Sequence, residues 1–180
     1  MQLTSTLLLP LLAVPAFAVP TFSWPPWPFN NHGGCLSLST AETIVGYYAA
    51  VIAHNSTSLG NATQTAYAIT VPNYTEYSDS ASEQVGAPLN VPITTSQAVF
   101  AAESQSNPPA DFTTLGVYTV ECNKILWRWV QYGDGGNASA IPVKGFHLFE
   151  LNYQNLLELT YFEFNGLAAA IDTHEFGCHS

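Results

Sequence analysis

Acid–base chemistry in this chain of 180 residues would fall to a few side chains. Asp79 lies in the run Tyr77-Ser78-Asp79-Ser80. Glu163 and Asn165 share one strand face with Tyr161, because side chains two apart on a strand point the same way. His147 is in phase with Gly145 and Phe149 on the segment before, and Arg128 lies on the segment before that. Gathered in an apolar cavity, Asp79 or Glu163 would have its pKa raised by burial and could act as a general base. Tyr77, Tyr161 or His147 would then donate a hydrogen bond to an oxyanion or enolate. Such a set suits proton abstraction from, or dehydration of, a small apolar carbonyl compound. A second reading is purely structural. Asp79 can bond backbone amides in a turn, His147 can be a satisfied core residue, and Arg128 and Lys144 can pair with carboxylates.

The elements that must position these residues can be read from periodicity. Ser39-Thr40-Ala41-Glu42 has the form of a capping box. Apolar residues then recur at Ala41, Ile44, Val45, Tyr48, Ala49 and Ile52, which is helical spacing. A weaker helical stretch runs from Leu59 to Ile69 and stops before Pro72, and residues 74–80 read as extended or turn. Residues 81–93 read as irregular. A third helix is expected from Thr94 to about Ser104. After Pro108-Pro109 the pattern turns to strands at 112–121, 123–132, 140–151 and 156–164, and a short helix follows at 166–172. Helices followed by a meander predict an α+β domain whose helices cover one face of a four-stranded antiparallel sheet. Near-symmetric hairpins would bring Arg128 to Lys144 and Lys144 to Glu163, whereas a one-residue slip would reverse every face.

Composition limits the classes of partner. Lys and Arg number 3 against 13 Asp and Glu, for a formal charge of −10. Affinity for nucleic acid rests largely on cations at phosphates, so that role is excluded, and electrostatic attachment to anionic lipid with it. Residues 1–18 read as a signal peptide, with a short apolar run and Ala16-Phe17-Ala18 before the cut. The run is shorter than the ~20 residues a bilayer span needs, so the mature chain is expected to be secreted and free of membrane. Residues 19–34 form a linker rich in Pro and Trp, residues 35–173 the domain, and residues 174–180 a tail. Sequons at Asn55, Asn61, Asn73 and Asn137 agree with export and would require those side chains to face water. Cys35, Cys122 and Cys178 allow three pairings in an oxidising compartment. Cys35 with Cys178 is preferred, because it would staple the two ends of the domain, and Cys122 is the alternative partner.

The order of elements resembles the nuclear transport factor 2-like superfamily, within it a group of secreted fungal proteins of mostly unknown function. The resemblance is carried by Cys35-Leu36 before the first helix, Tyr77-Ser-Asp-Ser80, Ile125-Leu-Trp-Arg-Trp129, Pro142-Val-Lys-Gly145 and Glu163-Phe-Asn165. It spans roughly residues 35–172. It implies a cone-shaped, curved antiparallel sheet wrapped around the N-terminal helix, with two further short helices and a pocket at the open end. Trp127, Trp129, Phe149, Tyr161 and Asn165 would line that pocket. The superfamily holds steroid isomerases, dehydratases and polyketide cyclases beside binding and dimerisation modules, so its fold does not name a function.

The function expected is therefore binding of a small hydrophobic molecule, or of a partner protein, in or around the pocket. One alternative is a cofactor-independent isomerase, dehydratase or cyclase with a pocket carboxylate as base. Another is a non-catalytic structural or host-interaction protein, and the open sheet face is a candidate homodimer surface. No cofactor is expected: the chain has no Gly-x-Ser-x-Gly elbow, no His-Glu-x-x-His, no phosphate-binding loop and no dinucleotide fingerprint. His174, Cys178 and His179 are too few to predict a metal site.

Overall fold

A computed structural model describes residues 34–132 and 141–172. The segments read as a signal peptide, linker and tail, with Asn137 and Cys178, lie outside these residues.

The chain opens with α1 (Leu38–Ile52). Its N-cap is Ser37, whose hydroxyl accepts from the Thr40 amide at 3.1 Å, so the helix begins two residues before the expected Ser39 box. The apolar stripe buries Ala41, Ile44, Val45, Tyr48 and Val51. Next comes α2 (Ala62–Ile69), closed at its start by a reciprocal Asn61–Gln64 capping box. The chain then passes directly into β1 (Thr70–Tyr77), followed by α3 (Asp79–Gln84), β2 (Pro92–Thr94) and α4 (Gln97–Ser106), the last capped by Ser96. The expected meander follows as β3 (Phe112–Val120), β4 (Lys124–Gln131), β5 (Val143–Leu151) and β6 (Leu157–Phe164), with α5 (Gly166–Asp172) last.

The sheet has six strands in the order β2-β1-β6-β5-β4-β3 and is curved. The expected four-stranded antiparallel sheet is thus extended by two strands, and β1 runs parallel to β6. Pro72, read as the end of a helix, sits inside β1 where the pairing with β6 is irregular between Thr70 and Thr75, a place that tolerates a missing amide donor.

Alternation sorts the two faces. Ile125, Trp127 and Trp129 of β4, and Val143, His147, Phe149 and Leu151 of β5, are buried against α1, while Arg128, Lys144 and Phe146 are exposed on the outside. Trp127, Ile125, Phe149 and Leu157 are fully buried, and each such side chain contributes about 1.5–3 kcal/mol relative to exposure. Gly145 interrupts the inner row of β5. A Cβ there would lie 2.6 Å from the Glu163 carbonyl oxygen and 2.8 Å from Cη2 of Trp129, so the missing side chain is what admits the indole. Gly145→Ala is expected to lower stability by about 1–3 kcal/mol, the usual scale for overpacking, read as a lower urea midpoint with an unchanged slope.

Cys35 is bonded to Cys122, not to the preferred Cys178. The Leu36 amide donates to the Cys122 carbonyl at 2.9 Å, so packing of α1 on the sheet carries residue 35 to the β3–β4 turn. That turn, not the far end of the domain, is what lies beside residue 35.

Candidate functional site

The inner faces of the strands and the helices α1, α3 and α4 enclose a cavity of about 390 Å³ at the open end of the cone. Its walls are mostly apolar, with Phe100, Phe112, Trp129, Val143, Phe162 and Phe164 among them. Its polar groups include two carboxylates, Glu76 from β1 and Glu103 from α4, with Thr94, Gln131 and His147.

Glu76 is 5% exposed and carries the most hydrogen bonds of this set. Its Oε1 accepts from the Tyr48 hydroxyl at 2.8 Å and the Tyr74 hydroxyl at 2.6 Å. Its Oε2 lies 3.0 Å from the Thr94 hydroxyl. Thr160 and Tyr74 share a further contact at 2.7 Å, so Thr160 supplies the proton while Tyr74 donates onward to Glu76. A buried charge needs such partners. Burial nevertheless outweighs the three hydroxyl donors and holds the Glu76 pKa above its ordinary value. Burial and the neighbouring Glu76 raise the Tyr48 and Tyr74 hydroxyls in turn, so both stay protonated donors.

Thr94 Oγ1 is also 2.7 Å from Oε2 of Glu103. A hydroxyl has one proton, so it cannot donate to two carboxylates at once. Both contacts become hydrogen bonds when one carboxyl carries a proton and donates it to Thr94. With the proton on Glu76, the carboxyl that burial favours in its neutral form, Glu76 donates to Thr94 and Thr94 donates on to Glu103. Glu76, Thr94 and Glu103 thus form a short proton-sharing chain from the buried side of the cavity to the half-buried Glu103.

His147 faces the same cavity and is buried. Its Nδ1 accepts from the Trp129 Nε1–H at 2.8 Å, which leaves the ring proton on Nε2. The ring stacks on Phe162 at 4.9 Å and meets Tyr48 edge-on at 5.2 Å. Burial among these rings lowers its pKa to about 3, so at neutral pH it is an uncharged N–H donor. The folded state therefore binds this proton more weakly than the unfolded chain, whose histidine titrates near the ordinary 6.5. Its stabilising contribution is present above pH 6.5 and is lost as pH falls toward 3, by up to about 1.4 kcal/mol per pH unit. His147→Gln, which keeps an acceptor for Trp129, is expected to flatten this limb of a stability–pH profile measured by urea unfolding.

The remaining residues singled out from the sequence come together elsewhere. Tyr77 and Tyr161 stack at 5.3 Å on the outer side of β1 and β6. Glu163 accepts from the Asp79 and Ser80 amides, both at 2.8 Å, and from the Ser80 hydroxyl, so it anchors the start of α3 and does not face the cavity. Asp79 Oδ1 accepts from the Asn90 amide at 2.7 Å and closes the loop after α3. Asn165 Oδ1 accepts from the Ala168 amide at 3.3 Å at the start of α5. Trp129 lines the cavity, but Trp127 and Phe149 are solid core behind it. Among the described residues no ion pair joins Lys144 to Glu163, whose carboxylate accepts from the start of α3. Asn55, Asn61 and Asn73 are exposed, as glycan acceptors must be.

Glu76, Thr94, Glu103 and Tyr48 are cavity residues that sequence reasoning did not select. Tyr74 and Glu76 alternate on one face of an eight-residue strand. That pattern was the available signal, but it requires residues 70–77 to be recognised as a strand.

A curved sheet closed by helices over a partly polar cavity defines a cone-fold protein with an interior site. Residues 34–176 match the model of the NTF2-like domain, and the chain belongs to that family. Solved structures agree on the fold. An NTF2-like protein of unknown function from Burkholderia pseudomallei K96243 is similar with a TM-score of 0.55 at 10% identity, covering 76% of this chain and 97% of that one. A steroid delta-isomerase from Pseudomonas aeruginosa gives 0.53 at 8% identity, covering 78% and 92%. A SnoaL-like protein of unknown function from Burkholderia thailandensis E264 gives 0.50 at 8% identity, covering 72% and 98%. No curated protein sequence matches this chain. Among the described residues, no helix is long and apolar enough to cross a membrane, and no cluster of three or more His, Cys, Asp or Glu could hold a metal ion.

Proposed function

We propose that this protein is exported and binds a small, largely apolar molecule bearing one oxygen function inside the cone. The observation that carries the reading is the cavity itself. Its volume of about 390 Å³ is that of a small-ligand site, and polar groups from five elements meet among aromatic walls. An apolar body would pack on Phe100, Phe112, Phe162 and Phe164, with its oxygen toward the Nε2–H of His147. Export is supported by the Cys35–Cys122 bond and by the exposed sequon asparagines. The test is mass spectrometry of small molecules extracted from protein purified from culture medium, followed by titration of whatever is found. Ile93→Phe, which adds bulk to the cavity wall, is expected to weaken binding at least tenfold. Unchanged affinity would remove the cavity from consideration.

A second reading, cofactor-independent isomerisation or cyclisation, is favoured by one observation: two cavity carboxylates linked through Thr94. Above its raised pKa, anionic Glu76 would take a proton from the carbon beside a ligand carbonyl. The C–H electron pair would move onto the carbonyl oxygen, which accepts a hydrogen bond from His147. Return of the proton from Glu76 to another carbon would complete an isomerisation and restore the carboxylate. A general base of this kind contributes about 10²–10⁴-fold to a rate.

A further inference from the structure

The outer face of the sheet carries a second concavity that the cavity chemistry does not use. It is a depression of about 440 Å³ lined by Leu115, Leu126, Arg128, Lys144 and Phe146, with Trp129 at its floor. Leu115 and Phe146 are 46% and 42% exposed, large values for apolar side chains that border one hollow. Gly145, between Lys144 and Phe146, also borders it.

Charge sets this hollow apart. Of the 3 Lys and Arg in the chain, Arg128 and Lys144 both stand on it. The third, Lys124, pairs with Glu121 and Glu150 at 3.4 Å each. Among the described residues, neither Arg128 nor Lys144 has an ion-pair partner. Glu163, across from Phe146 in the β5–β6 pairing, has its oxygens turned to the α3 amides. Arg128 is opposite Phe146, and Lys144 lies two residues further along β5, so the two cations occupy diagonal positions on one face. That diagonal is about 7–8 Å between backbones, within reach of two long side chains converging on one anion. The formal charge of −10 does not cancel this locally, because charges beyond about 10 Å are largely screened at physiological salt.

We propose that this outer hollow is a binding site for a carboxylate with an apolar tail, such as a medium-chain fatty acid. The carboxylate meets Arg128 and Lys144, and the tail lies over Leu115, Leu126 and Phe146. Arg128 can grip a carboxylate in bidentate fashion and Lys144 adds a point charge.

The test uses the full secreted chain, labelled with ¹⁵N and titrated with decanoate below its micelle concentration, with decanol in parallel. Saturable shifts of the Leu126, Arg128, Gly145 and Phe146 amides by decanoate, and at least tenfold weaker ones by decanol, are expected. The double variant Arg128→Gln/Lys144→Gln should weaken decanoate at least tenfold at this face, and a matching unfolding midpoint would show that the fold is kept. Shifts confined to cavity residues such as Phe100 and Phe162 would overturn the assignment, as would equal affinity in the double variant. So would a concentration-dependent dimer, in analytical ultracentrifugation, that decanoate does not dissociate. That last result would assign the face to a second copy of the chain.

Discussion

Glu76→Gln is expected to keep the fold and abolish any proton-transfer activity of the cavity. A glutamine oxygen can still accept from Tyr48 and Tyr74, and its amide can donate to Thr94, so the three hydroxyls around position 76 keep partners. What disappears is the ability to take up a proton. If a substrate is identified, turnover should fall about 10²–10⁴-fold, with a much smaller change in ligand affinity. Unaltered turnover would remove Glu76 as the base. Glu76→Ala should behave differently, because it leaves hydroxyls buried without their acceptor. Each such group costs about 1–3 kcal/mol, so the alanine variant should lose several kcal/mol where glutamine loses little. Stability against pH supplies a readout that needs no substrate. Burial raises the Glu76 pKa above the ordinary 4.5, so the folded state holds this proton more tightly than the unfolded chain does. The associated stability is complete below pH 4.5 and declines as pH rises through the folded value. Glu76→Gln should abolish that decline. The sign is opposite to that of His147, whose contribution grows with pH between about 3 and 6.5, so the two variants separate the two limbs.

Much of the sheet was legible because alternation is a local signal. In 123–132 the inward Ile125, Trp127 and Trp129 are large and apolar, and a strand forms there. Tyr161 and Glu163 share a face of β6 and Asn165 lies past its end, but alternation cannot say which face is inside. Here the pairing shift between Glu150 and Leu151, and the burial of Thr160 beneath Tyr74, set the phase of β6 and turn Tyr161 and Glu163 outward. Strand β1 was hidden by Pro72, and β2 by its three residues. With them went the cavity carboxylates: Glu76 reaches the interior because β1 pairs in parallel with β6, placing it opposite Thr160, 84 positions along the chain. Only His147 and Trp129 were found from sequence as cavity residues, both on strands whose neighbours in the chain are also their neighbours in the sheet.

The cysteine pairing failed for a related reason, and it yields the second large prediction. Bracketing the domain is an argument about sequence ends, whereas a bond forms between residues that the fold brings together. Cys35 precedes α1, and α1 lies on the inner face of the sheet, so its entry meets the turn between β3 and β4 that holds Cys122. The bond spans a sequence separation of 87 residues. In the chain-entropy account, closing a loop of that length removes about 4–5 kcal/mol of unfolded-state freedom. Cys122→Ser should therefore lower stability by about that much at most. Cys35→Ser should match it, and the double variant should cost no more than either single one, since one bond is lost in each case. Cys178→Ser leaves the Cys35–Cys122 bond in place and should retain most of the stability. Peptide mapping without reduction should recover residues 35 and 122 in one linked species. A larger loss from Cys178→Ser than from Cys122→Ser would mean that the ends of the domain, and not the first helix on the β3–β4 turn, are what the disulfide holds.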